Sequence, residues 1–287
     1  MRVLFDTQQW NYFLSSDATP QPEGALEGVL QNLAEGSIEI VGSLDVLQEL
    51  VEAAPRARRK SEDMVELYLE LVGPRLLLPL NERHVSEVRS GGLLCEQARY
   101  ATRATRREVA KLARSRREVL DLAEVLGDEK STFRASEIET QHNIRARLDE
   151  AGGQPSAALM RQWLRELDID EWVAELVEEG NRLGHHDVAV SDAGPDRYPS
   201  AWTFYAIRLA RLVATLGEGR RIARSDLADA HIVSSGPYVD VVVTDDKALR
   251  DSLEILDRPL PFQCETSAKF FARPETRPRA LDEPVGG

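Results

Sequence analysis

Short apolar runs that alternate with amphipathic segments at both ends of the chain are the feature that most constrains the fold. In the first part, the predicted strands are 3–5, 38–42 and 76–78, and apolar residues at helical spacing predict helices at 22–36, 44–53 and 61–72. The alternation returns near the other end, with a helix at 225–235, a strand at 239–243, a helix at 247–253 and an edge strand at 262–264. Such an alternation is typical of a parallel sheet covered by helices on both faces.

A long region without predicted strands separates these two parts. Its predicted helices are 96–126, 129–151, 155–180 and 199–216. We therefore predict an α/β fold, a three-layer α/β/α sandwich with a short parallel sheet, built from residues 1–81 and 219–268 and interrupted by a large all-helical insertion at 82–218. Residues 269–287 are rich in proline and end in two glycines, which predicts a disordered tail.

The net charge limits the classes of partner. The 287 residues include 49 acidic and 36 basic side chains, for a net charge of −13. This balance excludes a nucleic-acid binder that works by overall charge, so any contact with a phosphate backbone must come from a local basic patch. The 2 cysteines support neither a disulfide framework nor a cysteine zinc site. We find no secretory signal and no run long enough for a membrane span, which predicts a soluble cytoplasmic protein.

Acidic residues recur where a parallel sheet would present them to a ligand. Asp6 follows the first strand, Glu49 and Asp229 lie on predicted helices, and Asp245 and Asp246 follow the strand at 239–243. The ligand crevice of an open parallel sheet lies outside the carboxyl ends of its strands, so these acids are expected to converge. Taken alone, an aspartate at a strand end is more often a helix cap or a turn residue. Asp45 and Glu52, on the same helix as Glu49, are predicted to be solvated.

Convergent carboxylates indicate a bound hard cation. Several carboxylates within about 4–6 Å repel one another, and at least one pKa would rise. A divalent ion removes that penalty, and oxygen-only ligands suit Mg²⁺ or Mn²⁺. Such an ion polarises a phosphoryl oxygen and activates a water molecule, so the residues favour phosphodiester hydrolysis.

The sequence segments around these acids resemble the conserved motifs of the PIN-domain family of metal-dependent nucleases. The four similar stretches are Val3-Leu4-Phe5-Asp6-Thr7, Ser43-Leu44-Asp45-Val46-Leu47-Gln48-Glu49-Leu50, Asp229-Ala230-His231-Ile232-Val233-Ser234-Ser235 and Val242-Val243-Thr244-Asp245-Asp246. They occur in the family's order, and the resemblance covers about residues 1–80 and 221–265. The region between is much longer than in compact toxin-type members.

The resemblance implies particular roles for these residues. Asp6, Glu49, Asp229 and Asp246 would form the metal-binding and catalytic quartet, with Mg²⁺ or Mn²⁺ as cofactor. Thr244 would orient a carboxylate or the attacking water, and Thr7 is expected to act similarly. Asp226 is an alternative to Asp229, and Asp245 would share the role of Asp246.

Three functional hypotheses remain open. The leading one is a nuclease that cleaves RNA, with single-stranded DNA as the alternative substrate. The second is a toxin-type component of a toxin–antitoxin pair, held inactive by a protein partner, and the third is an inactive scaffold of the same fold. A haloacid-dehalogenase-like phosphatase is disfavoured, because that mechanism needs a second aspartate where this chain has Gln8. The number of metal ions and the oligomeric state are left open.

One basic segment opposes the overall charge. The bases predicted to form a nucleic-acid-binding stripe at three- or four-residue intervals are Arg99, Arg103, Arg106, Arg107, Lys111 and Arg114. The alternative is a helix whose bases pair with acidic helices of the same protein.

Histidine and tryptophan residues give weaker signals. His185 and His186 are adjacent and lack the helical spacing of a metal site, and His231 is predicted to be a packing residue. Trp163, Trp172 and Trp202 are predicted to belong to the core.

Overall fold

The computed structural model describes residues 1–15, 21–52, 58–114, 146, 159, 162, 169–182, 194–217, 224–256, 258–273 and 276. Within them the fold is mixed α/β with a small parallel sheet. The strands are β1 (Arg2–Phe5), β2 (Glu39–Ile40), β3 (Gly42–Ser43), β4 (Leu76–Leu77), β5 (Val241–Val243) and β6 (Gln263–Glu265). The α-helices are Thr7–Phe13, Ala25–Ala34, Leu44–Glu52, Arg58–Val72, Leu80–Ser90, Glu96–Arg99, Arg103–Arg114, Ile169–Arg182, Pro199–Gly217, Arg224–Val233, Lys247–Glu254 and Ser267–Phe271, and a 3₁₀ turn covers Gly236–Tyr238.

Four parallel strands form the main sheet, in the order β2–β1–β5–β6. β1 and β5 come from opposite ends of the chain, and Phe5 lies opposite Val243 in their register. Val243 also lies opposite Glu265 of β6. Residues 3–5 and 241–243 are apolar and buried, as expected for parallel strands whose two faces are covered. The carboxyl ends of β1, β5 and β6 therefore lie side by side.

The single strand predicted at 38–42 is divided between two sheets. β2 pairs with β1, whereas β3 pairs with β4 in a separate two-stranded parallel sheet. At this switch the backbone passes close to helix Arg58–Val72, since a Cβ atom on Gly42 would lie 2.5 Å from the Tyr68 hydroxyl. Glycine permits that close approach. The sequence pattern showed the apolar run but not the change of partner within it.

Most predicted elements are present with shifted ends, but three helices of the described residues were missed: Thr7–Phe13, Leu80–Ser90 and, near the predicted tail, Ser267–Phe271. Thr7–Phe13 is short, and its N-cap is Asp6, whose side chain accepts a hydrogen bond from the Gln9 backbone N–H at 3.0 Å. Leu80–Ser90 spans the predicted boundary between residues 81 and 82. The predicted helix at 96–126 is interrupted between Glu96–Arg99 and Arg103–Arg114.

The structure describes only part of the helices predicted in the middle region. The predicted helix at 129–151 lies almost entirely outside the described residues, and 155–180 is represented mainly by Ile169–Arg182. No helix among the described residues combines the length and the apolar character needed to cross a membrane.

The predicted start of the disordered tail at residue 269 was wrong. Ser267–Phe271 is a helix, and Phe270 and Phe271 are buried in the main core. The Phe270 ring packs edge-on against Phe5 of β1, with 5.5 Å between ring centroids. Burial of these aromatic side chains therefore extends the folded core past the predicted boundary. Residues 277–287 lie outside the described part of the chain.

A buried carboxylate joins the middle region to the core. Glu87, on helix Leu80–Ser90, is fully buried and accepts hydrogen bonds from the backbone N–H groups of Ser200 and Ala201 at 3.0 and 3.3 Å. These groups belong to the first turn of helix Pro199–Gly217, whose unpaired N–H groups favour an anion. The Tyr238 hydroxyl also donates to Glu87. Burial nevertheless raises the pKa of Glu87 to about 7, although Tyr238, these amides and the Arg83 charge oppose it.

We expect this burial to make stability depend on pH. Because the pKa of Glu87 rises from 4.5 to about 7 on folding, the folded protein binds more protons than the unfolded chain between these values. Its contribution to the free energy of unfolding therefore falls as pH rises through that window. Glu87→Gln should lose less stability than the unchanged protein between about pH 5 and about pH 8 in urea unfolding.

The control is Glu82→Gln, an exposed residue on the same helix. It should keep the pH dependence of the unchanged protein. Parallel pH profiles for the unchanged protein and Glu87→Gln would contradict the assignment.

Candidate active site at the ends of the parallel strands

Asp6 and Thr244 lie next to each other at the carboxyl ends of β1 and β5. The Asp6 backbone N–H donates to the Val243 carbonyl at 3.1 Å, which continues the strand pairing by one residue. The Thr244 hydroxyl hydrogen-bonds the Asp6 carboxylate, and both side chains are buried. The parallel register therefore brings together the two motifs that sequence analysis placed at opposite ends of the chain.

Burial makes the Asp6 carboxylate difficult to ionise. It raises the pKa of Asp6 to about 7, even though hydrogen bonds from Thr244 and the Gln9 amide favour the charged form. The negative charges of Glu49 and Asp245 raise this pKa further. An acid in such surroundings is a candidate for a functional group or for a partner of a cation.

Glu49 is held near Asp6 by a hydrogen bond with Thr7, the residue that follows Asp6. It projects from helix Leu44–Glu52, which follows β3 directly, and its Oε2 accepts a hydrogen bond from the Thr7 hydroxyl at 2.5 Å. Thr7 thus positions the glutamate rather than the first aspartate. The supporting role of Thr7 in a metal site stays a prediction.

Asp245 and Asp246 make different contacts, although they are adjacent. Asp246 is the N-cap of helix Lys247–Glu254, and its Oδ1 accepts from the Leu249 amide at 2.7 Å. Asp245 accepts from the Gln9 side chain at 2.8 Å, and from the hydroxyl and amide of Ser267 at 2.6 and 3.0 Å. Both oxygens of Asp245 therefore hold neighbouring elements, as expected for a supporting residue. The ligand role of Asp246 stays a prediction.

Asp229, the fourth predicted ligand, forms an ion pair with a buried arginine. It lies on helix Arg224–Val233 and pairs with Arg211 of helix Pro199–Gly217, a helix that packs directly against it. Burial raises the pKa of Asp229 to about 8 despite Arg211, and the charges of Asp246 and Glu49 contribute to the rise. Arg211 had no signal in the sequence, because its helix carries no motif. The side chain of Asp226 lies outside the described residues.

The four predicted ligands form one electrostatically coupled group. The negative charge of Glu49 raises the pKa of both Asp6 and Asp229, and the charge of Asp246 also raises the pKa of Asp229. Their oxygen-only donor set fits a hard divalent cation such as Mg²⁺ or Mn²⁺. Among the described side chains, however, no three His, Cys, Asp or Glu residues form a ready metal-binding group. The carboxylate oxygens nevertheless fit such an ion in their chemistry.

A second buried network holds two of the acid-bearing helices together. Arg83 is fully buried, and its guanidinium lies 3.3 Å from Asp45 and donates to the Ser234 hydroxyl at 2.7 Å. Asp45 also lies 3.5 Å from His231 Nδ1. Asp45 shares a helix with Glu49, while His231 shares one with Asp229, so this network fixes the separation of the two helices.

The prediction that Asp45 is solvated was wrong. Its side chain is only 6% exposed. Burial alone would raise the pKa of Asp45, but the hydrogen bond with His231 and the charge of Arg83 outweigh it and lower the pKa. Asp45 is ionised because the Arg83 cation compensates its charge. Arg83 lies on helix Leu80–Ser90, which is distant from Asp45 in sequence, so the sequence pattern did not reveal the pair. The side chain of Glu52 lies outside the described residues.

The predicted basic stripe is not continuous in the structure, because Arg99 is not part of it. Arg99 was expected on it, but it is buried, with its guanidinium over the rings of Tyr100 and Tyr238 at 5.1 and 6.0 Å from the centroids. The chain turns between Arg99 and helix Arg103–Arg114, so the two do not form one continuous face.

Three bases of the stripe remain exposed on that helix. Arg103, Arg107 and Lys111 are exposed, whereas Arg106 is partly buried and directed to the Gly73 carbonyl at 3.4 Å. The helix packs against helix Arg58–Val72. The side chain of Arg114 lies outside the described residues.

The histidine and tryptophan predictions have mixed outcomes. His185, His186 and Trp163 lie outside the described residues. Trp202 is buried, which confirms its predicted core role, and Trp172 is partly buried against Tyr205. His231 packs edge-on against Phe204, as predicted, and also contacts Asp45. Cys95 and Cys264 are both free thiols.

Comparisons with known proteins add no family to this geometry. No protein-family model, curated protein or solved structure matches the chain.

We expect Arg83 to stabilise the site by neutralising Asp45. Arg83→Met removes the cation and leaves a buried carboxylate, so it should lower the free energy of unfolding by about 3–5 kcal/mol. The double variant Arg83→Met/Asp45→Leu should be less destabilised than the two separate losses predict, since it removes both charges. Urea unfolding of the single and double variants measures this coupling.

The control is Arg75→Met, which removes a partly exposed partner of Glu39. Its effect on unfolding should be small, since exposed ion pairs contribute little. Additive losses for Arg83 and Asp45 would show that the pair is not coupled.

Proposed function

We propose that this protein is a metal-dependent nuclease with a PIN-like, three-layer α/β/α architecture. The observation that carries the proposal is geometric: the parallel pairing of β1 with β5 sets Asp6 beside the strand end that leads to Asp246, and the Thr7 hydroxyl joins Glu49 to the same end of β1. The charges of Glu49 and Asp246 also raise the pKa of Asp229, the fourth acid. Two of the four acids follow parallel strands and two lie on helices, as the four family-like motifs imply.

In this proposal the chain's own residues prepare the carboxylates for an ion. Thr244 orients Asp6, Thr7 orients Glu49, and the Leu249 amide fixes Asp246. Each of these groups is a neutral donor, so it positions a carboxylate without cancelling its charge.

The proposed cation is Mg²⁺ or Mn²⁺, with Asp6, Glu49, Asp229 and Asp246 as its holders. Once bound, it would supply Lewis-acid polarisation of a phosphodiester and lower the pKa of a water molecule. The carboxylates would offset its charge, and the buried surroundings of Asp6 would strengthen that attraction by excluding water.

RNA is the proposed substrate, with single-stranded DNA as the alternative. The exposed bases of helix Arg103–Arg114 supply positive charge on a protein whose net charge is −13. Charges of this kind contact phosphates without reading sequence, so they favour a track for the backbone.

Cleavage assays should separate the proposed ligands from other acids. With Mn²⁺ or Mg²⁺ the protein should cleave labelled single-stranded RNA, and EDTA should stop the reaction. Asp6→Asn and Asp246→Asn should each lower the rate by roughly 100-fold or more, because each removes charge that stabilises the reacting centre.

The matched control is Asp240→Asn. Asp240 lies at the opposite end of β5 and accepts a hydrogen bond from the Arg2 amide at 2.7 Å, which asparagine can also accept. This variant should cleave at the normal rate. Equal rates for Asp6→Asn and the unchanged protein, or no cleavage with either ion, would refute the proposal. A single-stranded DNA of matching sequence tests the alternative substrate.

The basic helix should contribute to substrate binding and not to the chemical step. Replacing Arg103, Arg107 and Lys111 together by alanine should raise the KM for RNA several-fold and reduce its salt dependence, since up to three phosphate contacts are lost. The kcat should stay nearly constant. Replacing Arg89 and Arg258, exposed bases elsewhere, is the control. An unchanged KM in the triple variant would exclude this helix from the binding surface.

A further inference from the structure

The Arg211–Asp229 ion pair places a permanent positive charge at the edge of the acidic group. Arg211 is 4% exposed, and it lies on helix Pro199–Gly217, while Asp229 lies on helix Arg224–Val233. Arginine does not lose its proton in a protein, so this charge persists at every working pH. The hydrogen bonds shown for Asp6 and Asp246 come, in contrast, from the Thr244 hydroxyl and from backbone amides.

We infer that Arg211 is an internal cation that competes with the divalent ion for Asp229 and thereby sets the affinity of the site for metal. The inference rests on the proposed function, and it assigns Arg211 a regulatory role in that same site. Arg211 bonds one oxygen of Asp229 directly, through its Nη2 atom and Oδ2. A dication near Asp229 would therefore meet both a partly neutralised carboxylate and a fixed like charge.

The same pair explains how the site folds without metal. Burial of Asp229 opposes its ionisation, and the negative charges of Asp246 and Glu49 raise its pKa further. Removing one partner of a buried ion pair is strongly destabilising, because the other charge is left without compensation. Arg211 thus stabilises the metal-free protein at the expense of metal affinity.

Calorimetric titration with Mn²⁺ measures this competition without depending on catalysis. Arg211→Met removes the charge and keeps a long side chain, so it should tighten the dissociation constant for Mn²⁺ at least about tenfold. Arg211→Lys keeps the charge and should stay within about threefold of the unchanged protein. Arg208→Met is the matched control, since Arg208 lies on the same helix near Tyr205, and it should not change the affinity.

Thermal unfolding provides a second readout. In EDTA, Arg211→Met should melt at a lower temperature than the unchanged protein. Mn²⁺ should raise the melting temperature of Arg211→Met by more than it raises that of the unchanged protein. If Arg211→Met is unfolded in EDTA, Arg211→Gln retains a hydrogen-bonding side chain without the charge. Refolding of either variant on addition of Mn²⁺ supports the inference, and failure of both to refold overturns it.

The outcomes distinguish this inference from the function on which it rests. If the unchanged protein binds Mn²⁺ and loses that binding in Asp6→Asn, but folded Arg211→Met binds no more tightly, the competition is refuted and the metal site stands. If neither the unchanged protein nor any Arg211 variant binds Mn²⁺ or Mg²⁺, the proposed function fails together with the inference.

Discussion

The parallel pairing of β1 with β5 is the constraint on which the candidate site depends. It joins the two ends of the chain through buried apolar strands, and it sets Asp6 beside Thr244. Because side chains alternate along a strand, a shift of one residue in this register would separate these two groups. The packing of Phe5 against Phe270 supports the same end of the sheet. Hydrophobic burial therefore determines which polar groups meet.

Bringing these acids together has a cost that the surrounding structure offsets in different ways. Neutral donors hold Asp6 and Asp246 without supplying an opposite charge, whereas Arg211 forms an ion pair with Asp229. Asp45, although it is near Glu49 in sequence, is paired with Arg83. Acids with identical chemistry thus acquire different roles from their neighbours. Unfavourable electrostatics that persist in a folded protein are typical of functional sites.

The helices between the two α/β parts of the chain support the site as well as extending the fold. Helix Leu80–Ser90 supplies Arg83 to the helices that carry Glu49 and Asp229, and it supplies Glu87 to the start of helix Pro199–Gly217. The latter helix provides Arg211. A boundary at residue 82 would cut through the first of these helices, so the region predicted as an insertion is integrated with the core from its first turn.

The sequence by itself determined the parallel α/β pattern, the strand at Val241–Val243 and the positions of the acids along the chain, because these depend on local periodicity and residue type. The tertiary structure decided which groups are buried and which are paired. Asp45 and Arg99 looked like surface residues in a charged helix, yet Arg83 and two tyrosine rings cover them. Arg211 had no local signal, because its partner is on another helix. The division of the strand at 38–42 likewise depends on its two partners, β1 and β4, which lie far from it in the chain. Such contacts depend on distances between elements remote in the chain, and periodicity within one element carries no information about those distances.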